Sequence, residues 1–230
     1  MEPIHPRRGF TLIELLVVTA IILIVTAVTI TSQASFNKTI ILANTAYDIA
    51  LTMHSAENFG LGSRAVNGVM NAGYGVHFDM AAQNSFILFA DTYPAVGSSG
   101  TFCHTTVGVP GGPGAIPGDC VYEPPSNTGG SDQIINDYTL QNGITLNSLC
   151  VYSYPSSSWS CSNTNNNNFS TLDVVFARPN GDATISIGGT FVSPSPYTKA
   201  CIAVTSPQGG LRYVSVDTLG EISVSASPCS

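Results

Sequence analysis

From Phe10 to Ile30 the chain runs for 21 residues with a single charged side chain, Glu14. As an α-helix that run would be ~32 Å long, enough to cross the hydrocarbon core of a bilayer. Arg7 and Arg8 stand immediately before it. Their charge predicts that the N-terminal end stays on the cytoplasmic side and that everything after residue 31 lies outside. A secretory signal peptide fits poorly, because its small-residue cleavage site follows a shorter apolar core. Here the only small residue beside the charges, Gly9, precedes the run. A plain single-span anchor accounts for the length but gives no reason for Glu14.

The rest of the composition agrees with an outward-facing head. Only 9% of the 230 residues are charged, the net charge is -7, and no basic cluster forms that could neutralise a row of phosphates. Nucleic acid is therefore not an expected partner. Cys103, Cys120, Cys150, Cys161, Cys201 and Cys229 all lie beyond residue 100, and none forms a CxxC pair. His104 has no companions at metal-ligand spacing, so neither a metal nor another cofactor is expected. An even number of cysteines on loops rich in glycine, proline and serine predicts disulfides and an oxidising compartment. Proximity favours Cys103–Cys120, Cys150–Cys161 and Cys201–Cys229 among the fifteen possible connectivities. Each closure would contribute ~3 kcal/mol.

Beyond Ile30 the helical pattern continues without a proline. Phe36, Ile40, Ala43, Tyr47, Ala50 and His54 recur every three or four residues, which predicts an amphipathic stripe ending near Gly60 or Gly62. The whole helix would be about 50 residues and ~75 Å long. His54 reads as a packed or rim side chain. Past these glycines the chain reads as strands: "YGVHFD" and "SFILFA" joined by "MAAQN", then "LDVVFA" and "ATISI" joined through Asn180-Gly181. "CIAVTS", "LRYVSV" and "EISVSA" complete a β-meander. "VGVPGGPGAIPGD", "EPPSNTGGSD" and "SNTNNNN" read as surface loops. The expected fold class is α+β, a long N-terminal helix packed on an antiparallel β-sheet head. Its divisions are residues 1–9, 10–30, 31–62 and 63–230.

"RRGFTLIELLVVTAIILIV" closely resembles the N-terminus of type IV prepilins and pseudopilins. The resemblance implies that 1–9 is a leader cut between Gly9 and Phe10 by a membrane aspartic peptidase that also N-methylates Phe10. The mature chain would begin with its membrane helix. It also gives Glu14 an assembly role, meeting the cationic amine that cleavage creates on Phe10 of a neighbouring subunit. Implied partners are other pilin or pseudopilin subunits, the prepilin peptidase, an inner-membrane assembly platform and membrane lipid. The strand pattern from "YGVHFD" to "EISV" is similar to the head of H-type minor pseudopilins of type II secretion, in which a long helix packs on an antiparallel sheet of two halves.

No GxSxG, HExxH, P-loop or Cys/His constellation occurs, so no catalytic residue is expected. Asp119, Glu123, Asp132 and Asp137, in or beside loops, read as solvated surface. The expectation is a minor pilin or pseudopilin in the inner membrane, single-pass with its head extracytoplasmic, assembled into a periplasmic or surface filament. An adhesive or DNA-capturing minor pilin and a single-span anchored protein are the alternatives. Intact mass, measured on protein from its native membranes with and without reduction, should start at methylated Phe10 and show the hydrogen loss of three disulfides. A mass starting at Met1, or after a cut beyond Ile30, would contradict the prepilin reading.

Overall fold

A computed structural model describes residues 9–62, 64–98, 102–103, 116–125, 130–154, 156–162 and 169–229, side chains at 31–38 excepted. Arg7, Arg8, His104, the Phe36 side chain, most of the leader, and the bulk of the glycine-rich and asparagine-rich loops lie outside them. The chain divides into two units, 1–40 and 41–230. One helix, α1 (Leu12–Leu61), begins in the first and ends in the second.

In the first unit α1 starts at Leu12 rather than at Phe10, because Thr11 serves as its N-cap. The Glu14 backbone N–H donates to the Thr11 hydroxyl at 3.3 Å, one half of a T-x-x-E capping box. From Leu12 to Ile30 mean hydropathy is 2.7 and no residue is buried by the chain itself. The threonine hydroxyls in this stretch are satisfied locally. Thr19 donates to Leu16 O, Thr26 to Ile22 O and Thr29 to Val25 O, at 3.0, 2.7 and 3.1 Å. A hydroxyl satisfied inside its own helix is compatible with hydrocarbon.

The second unit holds two five-stranded antiparallel sheets. The first has the order β3-β2-β1-β6-β7, built from β1 (Gly73–Asp79), β2 (Ser85–Asp91), β3 (Gln133–Thr139), β6 (Thr171–Phe176) and β7 (Ala183–Ile187). The second has the order β10-β9-β8-β4-β5, built from β4 (Thr145–Ser153), β5 (Ser158–Cys161), β8 (Tyr197–Thr205), β9 (Leu211–Asp217) and β10 (Ile222–Ser225). The class is α+β. Alternation along the strands decides which face each sheet gives to the core. Tyr74, Val76 and Phe78 of β1, Leu172, Val174 and Phe176 of β6, and Ala200, Ile202 and Val204 of β8 point inward. They share one core with Leu42, Ala46, Ile49, Met53 and Ala56 of α1.

The buried stripe of α1 is therefore displaced from the expected one. Ala50 is buried, but Ile40, Tyr47 and His54 are exposed. Small residues on the packing face, Ala46, Ala50, Ala56 and Gly60, alternate with Leu42, Ile49 and Met53 and allow a close approach. At Gly60 an added Cβ would stand 2.3 Å from the Phe176 carbonyl oxygen. The hairpins and the meander occupy the expected stretches, whereas β3, β4 and β5 were not foreseen, and the strands form two sheets. The segment 116–119, expected as surface loop, is irregular but largely buried.

Gly60→Ala should lower head stability by roughly 1–3 kcal/mol through overpacking, against the ~1 kcal/mol gain that alanine ordinarily brings to a helix interior. Urea unfolding followed by the fluorescence of the single tryptophan, Trp159, measures it. An unchanged or higher midpoint would show that the helix does not sit this close to β6.

Candidate functional site

Two sets of residues have the chemistry of a site. The first is the start of the membrane helix. Gly9, Phe10 and Thr11 precede α1 in non-helical backbone, Phe10 is 80% exposed, and nothing crowds Gly9. A peptidase needs a reachable bond outside regular structure, and the Gly9–Phe10 peptide meets both conditions. Glu14 occupies the third helical position, where the free N–H groups of the first turn favour a negative charge. Among the described residues no basic group lies within ion-pair distance of it.

The second set lies on the outer face of the first sheet. Alternation turns Gly75 and His77 of β1, Ile87, Phe89 and Asp91 of β2, and Asp173 and Val175 of β6 away from the main core. The segment 116–125 lies over this face, where Cys120 packs with Phe89 and Val175, flanked by Cys103 and Tyr122. Disulfides join Cys103 to Cys120, Cys150 to Cys161 and Cys201 to Cys229, the pairs expected from proximity. Cys150 and Cys161 face each other across β4 and β5, and Cys201 on β8 lies opposite Cys150 on its other side.

This covering buries carboxylates. Asp132 is 1% exposed. Its Oδ1 accepts from the backbone N–H groups of Thr92 and Tyr93 at 2.8 and 3.0 Å, and its Oδ2 from that of Glu123 at 2.9 Å. Asp91 is fully buried, and its Oδ2 accepts from the Cys120 N–H at 2.8 Å. Gly118, at φ +97°, makes room for it, since a Cβ there would lie 2.1 Å from the Asp91 carboxyl. The Glu123 carboxyl lies beside those of Asp119 and Asp132, close enough for each to act on its ionisation. On the neighbouring strands His77 Nδ1 sits 2.6 Å from Asp173 Oδ1, with the Tyr122 ring 4.7 Å from the imidazole.

Burial dominates the electrostatics. It raises Glu123 to about 9, helped by the charges of Asp119 and Asp132. It raises Asp132 to about 6 despite three backbone N–H donors that favour the anion. Burial likewise pushes Asp91, Asp119 and Asp173 up, with His77 and the Tyr122 backbone N–H opposing the shift at Asp173.

The expected solvated acidic surface is thus corrected. Asp132 is buried, Asp119 and Glu123 are half-buried, and only Asp137 is exposed. Sequence reasoning missed Asp91 and Asp173 altogether. The available signal was a lone aspartate inside an apolar strand, as in "LDVVF", a position that asks for a partner.

Cys103, Cys120 and Asp91 place ligand-type atoms within 4.8 Å of one another. Both sulfurs are consumed by the disulfide, which leaves no thiolate to ligate a metal.

Residues 4–30 match the family described as the prokaryotic N-terminal methylation motif. No curated protein and no solved structure matches the chain. The motif supports a type IV pilin-like or pseudopilin subunit, with pilin subunits and a prepilin peptidase as partners in general terms. With the apolar helix, it is consistent with a single-pass membrane-anchored protein.

Carboxyls whose folded pKa is raised bind protons more tightly folded than unfolded, so stability is full below the unfolded value and is lost as pH rises through the folded one. For Glu123 that window runs from 4.5 to about 9. The urea midpoint should therefore fall between about pH 5 and about pH 8.5, and Glu123→Gln should flatten the fall. A midpoint that rises with pH, or an unchanged slope in the variant, would mean that Glu123 stays ionised.

Proposed function

We propose that the chain is a minor pilin or pseudopilin, a structural subunit of a type IV filament-like machine serving type II secretion or pilus biogenesis. One observation carries the reading: the uncovered and strongly apolar stretch Leu12–Ile30 opens one residue after an exposed Gly9–Phe10 step, with Glu14 in its first turn. Cutting that step creates an ammonium group on Phe10. Glu14 follows four residues later, one helical turn along.

An ionised carboxylate inside hydrocarbon costs up to ~2.5–3.5 kcal/mol at a helix centre, so a cation that meets it in the bundle is strongly favoured. If that cation is the Phe10 amine of the next subunit, pairing is possible in one axial register only. The apolar surface then holds helices together, and the Glu14–amine contact sets their stagger. The role is mechanical, not catalytic: the inner-membrane assembly platform moves the subunit from bilayer to filament, and the head stays on the outside.

A minor subunit fits better than a major one, because the irregular segments of the head suit few copies better than thousands of close-packed ones. Among the alternatives, DNA capture is disfavoured. After cleavage only Lys38, Arg64, Arg178, Lys199 and Arg212 remain as cations, scattered along a chain of net charge -7 before the cut.

The test is Glu14→Leu, assayed for leader removal, membrane insertion and recovery in sheared filaments. Processing and insertion should persist while filament recovery drops by about tenfold or more, the loss expected when a register-setting ion pair is removed. Wild-type recovery of the variant would remove the assembly role from Glu14. A native chain found only in membranes and never in filaments would favour the single-span anchor.

A further inference from the structure

Filament assembly makes no use of a pocket on the outer face of the first sheet. It has a volume of about 360 Å³, and its walls include His77, Asp79, Phe86, Tyr122, Pro124 and Asp173. Asp173 is fully buried there. One of its carboxylate oxygens meets His77, while Oδ2 has no partner in hydrogen-bond geometry, the Tyr122 backbone N–H acting on the carboxyl more weakly than His77. A buried carboxylate oxygen left unpaired is expensive, so a donor or cation reaching it would be favoured.

The surroundings specify the sign of that ligand. Asp79 lines the pocket, and no lysine or arginine does. Asp119 and Glu123 act electrostatically on the same site, and Asp132 and Asp137 act on Tyr122. His77 is the one basic group in the lining. The walls specify its shape: Tyr122 contributes an aromatic side chain, and Ile87 and Pro124 add apolar surface. A cation beside aromatic rings is attracted by their quadrupole, and apolar walls accept an aliphatic stem.

A bare metal ion fits less well. Among the described residues the only three ligand-type groups that converge are Asp91, Cys103 and Cys120, and His77, Asp79 and Asp173 do not close to that distance. We infer that this pocket binds an ammonium or guanidinium group on an aliphatic stem, the chemistry of a lysine or arginine side chain offered by a partner polypeptide. Asp173 is the counter-ion and Tyr122 the aromatic wall. The site lies wholly within the second unit and does not depend on the filament reading.

The experiment uses the full chain in detergent, with the histidine ring nitrogens observed by NMR and His77 assigned through His77→Gln. N-acetyl-lysine methylamide and N-acetyl-arginine methylamide are titrated at constant ionic strength. N-acetyl-norleucine methylamide, the uncharged stem, and calcium chloride serve as comparisons. Either cationic probe, or both, should shift His77 saturably and leave His54 on α1 unmoved, and norleucine should not shift it. Asp173→Asn should weaken the effect by about tenfold or more, as expected when a buried counter-ion is removed. Tyr122→Leu should weaken it too, which keeps the test decisive if the first variant does not fold. An equal response to norleucine would reduce the site to an apolar cavity and overturn the inference. Silence at the solubility limit of the probes would overturn it as well, as would a response to calcium alone.

Discussion

Water is a poor solvent for a helix that is apolar on every side, and the chain offers Leu12–Ile30 no cover of its own. Everything else about the molecule is arranged around that deficit. The helix closes its own backbone, caps its first turn with Thr11 and folds its threonine hydroxyls back onto its carbonyls. It can therefore move between lipid and a bundle of similar helices without leaving a polar group unpaired. Glu14 is the exception among the described residues, and on the proposed function it is this carboxylate that would make one arrangement of neighbouring helices better than another.

Because that stretch contributes nothing to the head, the second unit must be stable on its own resources. It does so by bringing α1 very close to the sheets. Ala46, Ala56 and Gly60 lie on the packing side beside Leu42, Ile49 and Met53, and Tyr74, Phe78 and Phe176 fill the space from the strands. Weighting a helix face by the size of its apolar residues selects Tyr47 and Ile40 instead, and so rotates the stripe toward solvent. The periodicity was legible; its phase was set by the partner surface, which no local pattern contains.

The same distinction separates the strands that could be read from those that could not. "YGVHFD", "LDVVFA" and "CIAVTS" are apolar on the inward face and bounded by turn residues, so their signal is local. β4 carries a register shift between Leu146 and Ser148, which breaks the alternation that would have announced it. β3 is a sheet edge with four of its seven residues exposed, and β5 has only four residues. The motif at residues 4–30, by contrast, was legible, because it and the Thr11 cap are made of residues adjacent in sequence.

The burial of the acidic outer face was invisible for a further reason: its members come from segments that meet only after folding. Asp132 holds three backbone N–H groups from two separate stretches, and Cys103–Cys120 fastens the covering segment. Both devices are needed where proline and glycine leave the chain no strand to join. Using carboxylates as the acceptors has a consequence, since each one buried beside another raises the cost of ionising both. Such a face has two ways to lower its energy. It can keep a proton, as the raised pKa of Glu123 indicates, or it can accept a cation from outside. The proton serves where the carboxyls lie beside one another, at Glu123, Asp119 and Asp132. The external cation serves where a fully buried carboxylate oxygen borders open space, and Asp173 is where the fold provides both.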